Sequence, residues 1–371
     1  MTLWDIALEN AKSKESSVSQ QESHVLFLGS KSAGKTTLIN RLLEKDESPK
    51  PTVALEYTFG RKSKGHASNK EVAHVWELGG GFSMTRLLDM VIDADNVLNC
   101  SVVLLVDLSQ PGTIWSAVEA LTAAVVACVG RVIASAPKES RLKEQLRQKQ
   151  KDRLQNVEAD DAQLMTPFPL PLTIVGGKFD QFQEKVDHER KRVATQTLRF
   201  LAHSYNASLY FFSTVKQEQA ASRLRSHLTQ LAFGSGGHHP HQDEVQADVG
   251  RPIILPAGRD SFAKIGQPPA DDGDYNRLSA KTPLDLWKHV FYQHFPEERH
   301  QFSGGRHPVP ENPTVDPNDP HKFDEPAVDR ARAAKDEELE KYKRISDRKM
   351  RDLMQQAVNE GINVSFARQL E

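Results

Sequence analysis

The feature that most constrains this chain is a short loop. The run HVLFL at residues 24–28 meets Gly29, and Gly34, Lys35 and Thr36 then complete the spacing G-x-x-x-x-G-K-[ST]. A buried strand that enters a helix through such a loop turns a row of backbone N–H groups toward one point, with the positive end of the helix behind them. That cradle suits a phosphate. Its candidate contacts are Gly29, Ser30, Lys31, Ser32, Ala33, Gly34, Lys35, Thr36 and Thr37. Lys35 would reach the β- and γ-phosphates, and the Thr36 hydroxyl would be a ligand to Mg²⁺.

The next 200 residues fit the fold that this loop requires. Apolar runs at HVLFLGS, SVVLLVDLS, LTIVGGKFD and SLYFFST alternate with helical patterns, while TVALEYTFGRK and EVAHVWELGG form an extended pair around a polar turn. Continuous apolar strands separated by helices predict a mostly parallel sheet covered on both faces. Six strands are expected, the second antiparallel, in an α/β P-loop NTPase domain of Ras-like type with helical and disordered extensions. The expected divisions are a terminal helix and linker at 1–19, a domain at 20–295 with its core at 20–235, and a linker with a charged helix at 296–371.

Bulk properties narrow the setting. Net charge is −2 and 38% of residues are hydrophobic, so neither nucleic acid nor membrane insertion is expected. No run approaches the roughly 20 apolar residues that span a bilayer. The two cysteines, Cys100 and Cys128, lie in apolar surroundings and read as reduced thiols of a cytoplasmic protein. No basic flank and apolar stretch marks the N-terminus as a secretion signal.

A GTPase needs more than the loop. A threonine should sense the γ-phosphate and Mg²⁺. Thr52, in PKPTVAL, is the candidate, with Thr58 a weaker one. The third strand should end in D-x-x-G; here it ends Glu77-Leu78-Gly79-Gly80, and Gly81 fills the slot of the glutamine that orients the attacking water. The extra methylene of Glu77 is expected to misplace the acid by about 1.5 Å, one carbon–carbon bond. Phosphoryl transfer is mostly positioning and electrostatics, so losing the positioning group removes much of it. The base-reading N-x-x-D type motif is Gly177-Lys178-Phe179-Asp180: Asp180 can accept from guanine, the Lys178 stem can cover the base, and the bracing asparagine is gone. Ser213-Thr214 stands where a donor to guanine O6 is expected. No residue is assigned a catalytic role. GTP or GDP with Mg²⁺, held by Thr36 and Thr52, is the expected cofactor if one is bound at all.

The flanks are less informative. Residues 3–11 place Trp4, Ala7, Leu8 and Ala11 on one helical face. The polar stretch 138–163 reads as a solvated helical insertion, with a partner-binding arm as the alternative. His238, His239 and His241 lack a carboxylate or cysteine at ligand-like spacing, so a metal is not expected there. Residues 251–266 read as a strand and turn. Thr282-Pro283 is a good helix start, and Leu284, Trp287 and Phe291 share a side of the helix that follows. Docking surfaces are expected on the domain and its flanking helices, Trp4 and Trp287 among them. The last helix carries a thin apolar stripe, Leu339, Tyr342 and Ile345, too narrow to stabilise it alone.

Several stretches together resemble the light intermediate chain family of cytoplasmic dyneins, in the branch that serves dynein 2. They include FLGSKSAGKTT, PKPTVALEYTFGRKSKGH, AHVWELGGG, DLSQPGTIW, PFPLPLTIVGGKFDQFQ, PAGRDSFAKIGQPP, KTPLDLWKHVF and ELEKYKR, spread over most of residues 1–350. The resemblance implies a Ras-like domain that clasps the dynein 2 heavy chain beside other dynein 2 subunits. It also implies a structural and cargo-linking role without turnover, and an indirect link to intraflagellar transport particles. Cytoplasm, cilium, basal body and cytoskeleton are the implied locations.

Overall fold

The computed structural model describes residues 22–63, 70–137, 141–155, 157–213, 218–234, 245–269, 282–296 and 326–359. The chain divides into two compact units, Met1–Gly305 and Arg306–Glu371.

The first unit is built on one seven-stranded sheet. Its strands are β1 (Glu22–Gly29), β2 (Leu55–Ser63), β3 (Lys70–Leu78), β4 (Cys100–Asp107), β5 (Leu172–Gly177), β6 (Ser208–Phe211) and β7 (Ile254–Leu255), in the order β2-β3-β1-β4-β5-β6-β7. The five inner strands run parallel and both edge strands antiparallel. The expectation of six strands is one short. The seventh lies in the stretch 251–266 read as a strand and turn, which the count of six leaves out of the sheet; it has two residues, pairing Tyr210 with Ile254 and Leu209 with Leu255.

Every residue of β4 and β5 is buried, as a sheet covered on both faces requires. Side chains alternate between the faces. Leu26 and Leu28 of β1 join one core, which takes α2 (Ile114–Ser135), α5 (Phe179–Lys185) and α6 (His188–Ser204). Val25 and Phe27 join the other, which takes α1 (Lys35–Leu42) and α7 (Glu218–Phe233). The span Pro111–Ser135, which includes α2, is long and apolar enough to cross a bilayer by length and composition, contrary to the sequence expectation. Its apolarity has a local cause: Trp115, Val118, Leu121, Val125 and Val129 are packed into the first core.

The polar insertion does not stand free in solvent. It forms α3 (Leu142–Arg153) and α4 (Ala159–Leu164), with Leu142 and Leu146 buried. The Arg153 guanidinium donates to the carbonyls of Phe168 and Pro169 at 3.0 and 2.8 Å. Asp161 of α4 receives a bond from Phe262 N and meets His203 Nε2 at 2.7 Å. These contacts join the insertion to α6 and to α8 (Phe262–Ile265).

A C-terminal elaboration covers the outer side of α6. Arg199 donates two bonds of 2.8 Å to Asp260, and Phe200 stacks on Trp287 at 4.9 Å between ring centroids. Trp287 belongs to α9 (Pro283–His294), whose cap is Thr282 accepting from Asp285 N, as the sequence predicted. Val290 and Phe291 are buried with Trp287, whereas Leu284 is exposed. Trp287 is therefore a core residue, and the expectation that it belongs to a docking surface is corrected.

In the second unit α10 (Pro326–Asn359) carries Leu339, Tyr342 and Ile345 at 54%, 76% and 56% exposure, with Lys341–Glu337 and Arg344–Glu340 pairs one turn apart. The expected helix at 3–11, including Trp4, lies outside the described residues, as do His238, His239, His241 and Thr214.

Candidate nucleotide-binding site

Parallel strands end on one side of the sheet, so β1, β3, β4 and β5 deliver Gly29, Leu78, Asp107 and Gly177 to the same edge. Between β1 and α1 lies the loop. At Gly29, φ is 152°, and an added Cβ would sit 2.4 Å from the Leu105 carbonyl oxygen of β4. Only glycine fits. Ser32 and Gly34 also have positive φ, 61° and 100°, which curls the backbone around the concavity. Gly34 caps α1 without a side chain, and no acid occupies the first turn, so the helix N-terminus keeps its attraction for an anion.

The loop side chains fall as expected. Lys31 and Ser32 are exposed, Ser30, Thr36 and Thr37 partly so, and Ala33 is buried. Lys35 is 5% exposed, and its Nζ donates to the Gly29 and Ser30 carbonyls at 3.1 and 3.0 Å. The amine is thus held over the loop itself. Burial lowers its pKa, and the nearby Glu77 carboxylate opposes that shift.

Glu77 ends up at the centre of the site. It is 5% exposed, and Thr36 Oγ1 donates to its Oε1 at 2.9 Å. Burial raises its pKa, opposed by Thr36, Lys35 and Thr52. The longer side chain reaches the Thr36 hydroxyl directly, where a metal-bound water is expected to lie between the two groups. Thr52 is brought in as well, and its hydroxyl also donates to Glu56 at 3.0 Å. Thr58 is not; it accepts from Lys45 Nζ at 2.9 Å out on β2. Two hydroxyls and a carboxylate form a hard oxygen set of the kind that suits Mg²⁺.

The segment after Glu77 is packed by its glycines. Gly79 N donates to Ala54 O at 2.6 Å, and a Cβ on Gly79 would lie 2.5 Å from Thr52 O. That contact holds the threonine segment against the end of β3. Gly81 has φ 60°, and a Cβ built on it points to the loop, 3.8 Å from Lys31 N. The position faces the phosphate loop, and glycine puts no side chain there.

The base loop is half furnished. Lys178 has φ 58°, and its Nζ pairs with Asp107 Oδ2 at 2.5 Å. Asp107 is itself fixed by Ser109 N and Oγ at 2.9 and 2.6 Å. The sequence shows Asp107 only as the end of a strand; its role as the anchor of Lys178 needs the register Asp107↔Gly177. Asp180 accepts from Ser213 Oγ at 2.8 Å, so Ser213 orients the acid. A Cβ on Gly177 would be 3.0 Å from Ala33 O. Where an asparagine would brace the phosphate loop, backbone packs on backbone.

Comparison with known proteins places this geometry. The dynein light intermediate chain (DLIC) family description matches residues 1–170. The cytoplasmic dynein 2 light intermediate chain 1 of Danio rerio is 44% identical over 356 residues, 92% of this chain and 94% of that protein. The chain belongs to the dynein light intermediate chain family. The Mus musculus cytoplasmic dynein 1 light intermediate chain 1 is 31% identical, but over only 119 residues, 32% of this chain and 22% of that protein. A crystal structure of the dynein light intermediate chain's conserved domain superposes with a TM-score of 0.51 at 17% identity, covering 80% of this chain and 99% of that one. That likeness concerns the fold, and it agrees with a light intermediate chain built on a phosphate-loop sheet.

Proposed function

We propose that this chain is a non-catalytic light intermediate chain of the cytoplasmic dynein 2 motor. In this reading it binds and stabilises the heavy chain for retrograde intraflagellar transport and cilium assembly. The observation that carries the reading is coverage: similarity to a dynein 2 chain runs over 356 residues, and to a dynein 1 chain over 119. The motor ATPase would reside in the heavy chain. Cytoplasm, basal body and cilium would be its locations.

The site supports a nucleotide used for stability. The loop, Lys35 and the oxygens of Thr36, Thr52 and Glu77 would hold a guanine nucleotide's phosphates with Mg²⁺, which would neutralise phosphate charge there. Asp180 would favour guanine. Gly81 offers no group to orient water, so this chain is read as a pseudo-GTPase.

A bound ligand stabilises the native state by RT ln(1 + [L]/Kd), about 2.7 kcal/mol at a hundredfold excess. Lys35→Ala should lower the melting temperature measured with GDP present, yet leave co-precipitation with the heavy chain and ciliary localisation intact in cells lacking the native subunit. A Lys35→Ala chain that is stable and abundant but fails to bind heavy chain would mean that the nucleotide works a switch.

A further inference from the structure

At the other end of β1 from the phosphate loop lies a second cluster. Parallel pairing sets His24 of β1 directly beside His74 of β3, and Glu22 lies two residues earlier on the same face of β1. The two imidazoles stack with centroids 4.6 Å apart and planes 17° apart. One nitrogen or oxygen from each of Glu22, His24 and His74 lies within 4.8 Å of the others. From Gly29, His24 is five residues back along an extended strand, roughly 16 Å at 3.3 Å per residue, so this is a separate place.

Three details make the cluster more than a stacked pair. Tyr57 Oη lies 2.9 Å from His74 Nδ1, which fixes the ring and aims Nε2 away from the tyrosine. Such an outer partner commonly orients a metal-bound histidine. His74 Nε2 then lies 3.6 Å from Glu22 Oε2. Finally, His24 Nδ1 and His74 Nε2 are both buried with no hydrogen-bond partner among the described residues. Buried polar atoms are nearly always satisfied, and two orphaned nitrogens in one stacked pair call for a shared partner.

We propose that Glu22, His24 and His74 bind one divalent transition-metal ion of the zinc type. Two imidazoles and a carboxylate suit zinc, cobalt or nickel better than magnesium or calcium. Tetrahedral bonds of about 2.0–2.1 Å need donors roughly 3.3 Å apart, so the donors must close by up to about 1.5 Å, and because imidazole lone pairs lie in the ring planes, one ring must turn out of the stack to face the same ion. Glu22 is exposed and free to swing inward. Cys100, paired with His24 on the other side, is not in the cluster: its thiol donates to Asn96 Oδ1 instead. The ion would staple the start of β1 to β3, and through Tyr57 to the edge strand β2.

The test uses the full chain, stripped with chelator and titrated with Zn²⁺ by calorimetry, and with Co²⁺ by absorption. One tight site per chain is expected, with a tetrahedral cobalt spectrum. His24→Gln and His74→Gln should each weaken it at least about tenfold. Glu22→Gln, at an exposed position that folding does not need, should weaken it less but measurably. Lys35→Ala should leave it unchanged, and so should replacing His238, His239 and His241 with serine. Absence of a stoichiometric site, or zinc binding that survives His24→Gln/His74→Gln in a folded chain, would overturn the proposal. So would loss of binding in the serine variant.

Discussion

The phosphate loop and the base loop sit side by side at one edge of the sheet, and they have fared differently. The phosphate loop keeps every part: its glycines, Lys35, Thr36 and an open helix start. The base loop keeps Asp180 and Lys178 but has Gly177 where a bracing side chain would be. The difference lies in what each loop is made of. Phosphate is held mainly by backbone, and the backbone path is dictated by packing of Gly29 against β4. A base is read by side chains, which a chain can lose without disturbing its fold. A retained phosphate loop is thus evidence of a fold first and of nucleotide chemistry second.

The largest expected effect tests whether the loop is structural. Gly29→Ala would drive a Cβ to 2.4 Å from Leu105 O, in a backbone conformation that L-residues rarely adopt. A destabilisation of at least about 4 kcal/mol, read as insolubility or loss of a cooperative melt, is expected. Gly34→Ala meets nothing within 4 Å and carries only the strain of φ 100°. It should cost about 1–2 kcal/mol and weaken nucleotide binding more than it weakens the fold. Equal losses in the two variants would erase the distinction between a packing glycine and a binding one.

Acid separates the two loops by the cores on which they rest. The phosphate loop leads into α1, which shares a core with α7, whereas the base loop leads into α5 on the opposite face. His227 of α7 meets Thr173 Oγ1 at 2.9 Å and packs on Tyr210, and burial lowers its pKa to about 4. The native ring is neutral, and the unfolded ring takes a proton below its ordinary value of 6.5. Stability from this residue is therefore complete above that value and is lost as pH falls toward 4. At one pKa unit per 1.36 kcal/mol, the fall from 6.5 to about 4 sets an upper bound of about 3.4 kcal/mol on the loss. His227→Gln should flatten the urea midpoint between pH 6.5 and 4. In hydrogen exchange, α1 and α7 of the wild type should open before α5.

How much of this was readable beforehand follows the same division. Locally dictated features are legible in the sequence: the strand before Gly29, the helix after it, the parallel sheet and the Thr282 cap. Features that depend on distant partners are not. Asp107 anchors Lys178 only because β4 and β5 pair in one register, and Trp287 is buried only because Phe200 of α6 lies beneath it. The insertion looked solvated because its sequence is mostly charged, yet two leucines and Asp161 are enough to dock it. The direct bond from Thr36 to Glu77 likewise depends on β3 and α1 lying side by side, which the extra methylene alone does not announce.

Base reading gives a smaller effect. Asp180 is partly buried and receives one hydrogen bond from Ser213. Asp180→Ala should reduce the GDP-over-ADP preference by about tenfold, near 1.4 kcal/mol, and change affinity for inorganic pyrophosphate little. Displacement of a fluorescent nucleotide measures all three. A large preference for GDP that outlasts the substitution would place base recognition elsewhere and overturn the contrast between the loops.

The smallest effect concerns hydrolysis. Gly81 sits opposite the loop with a Cβ direction toward Lys31 N, so a glutamine there would at least point at the right place. It would also have to adopt φ 60°, which strains an L-residue by about 1 kcal/mol. More importantly, a glutamine acts on water only when the γ-phosphate and Mg²⁺ are already fixed. Here the carboxylate of Glu77 bonds directly to Thr36, and Thr52 is shared with Glu56. Gly81→Gln should therefore raise single-turnover GTP hydrolysis by less than about tenfold, from a wild-type rate no faster than roughly 10⁻³ s⁻¹. A gain of a hundredfold or more would show that glutamine was the one missing part, and that the fold had kept a working metal site behind it.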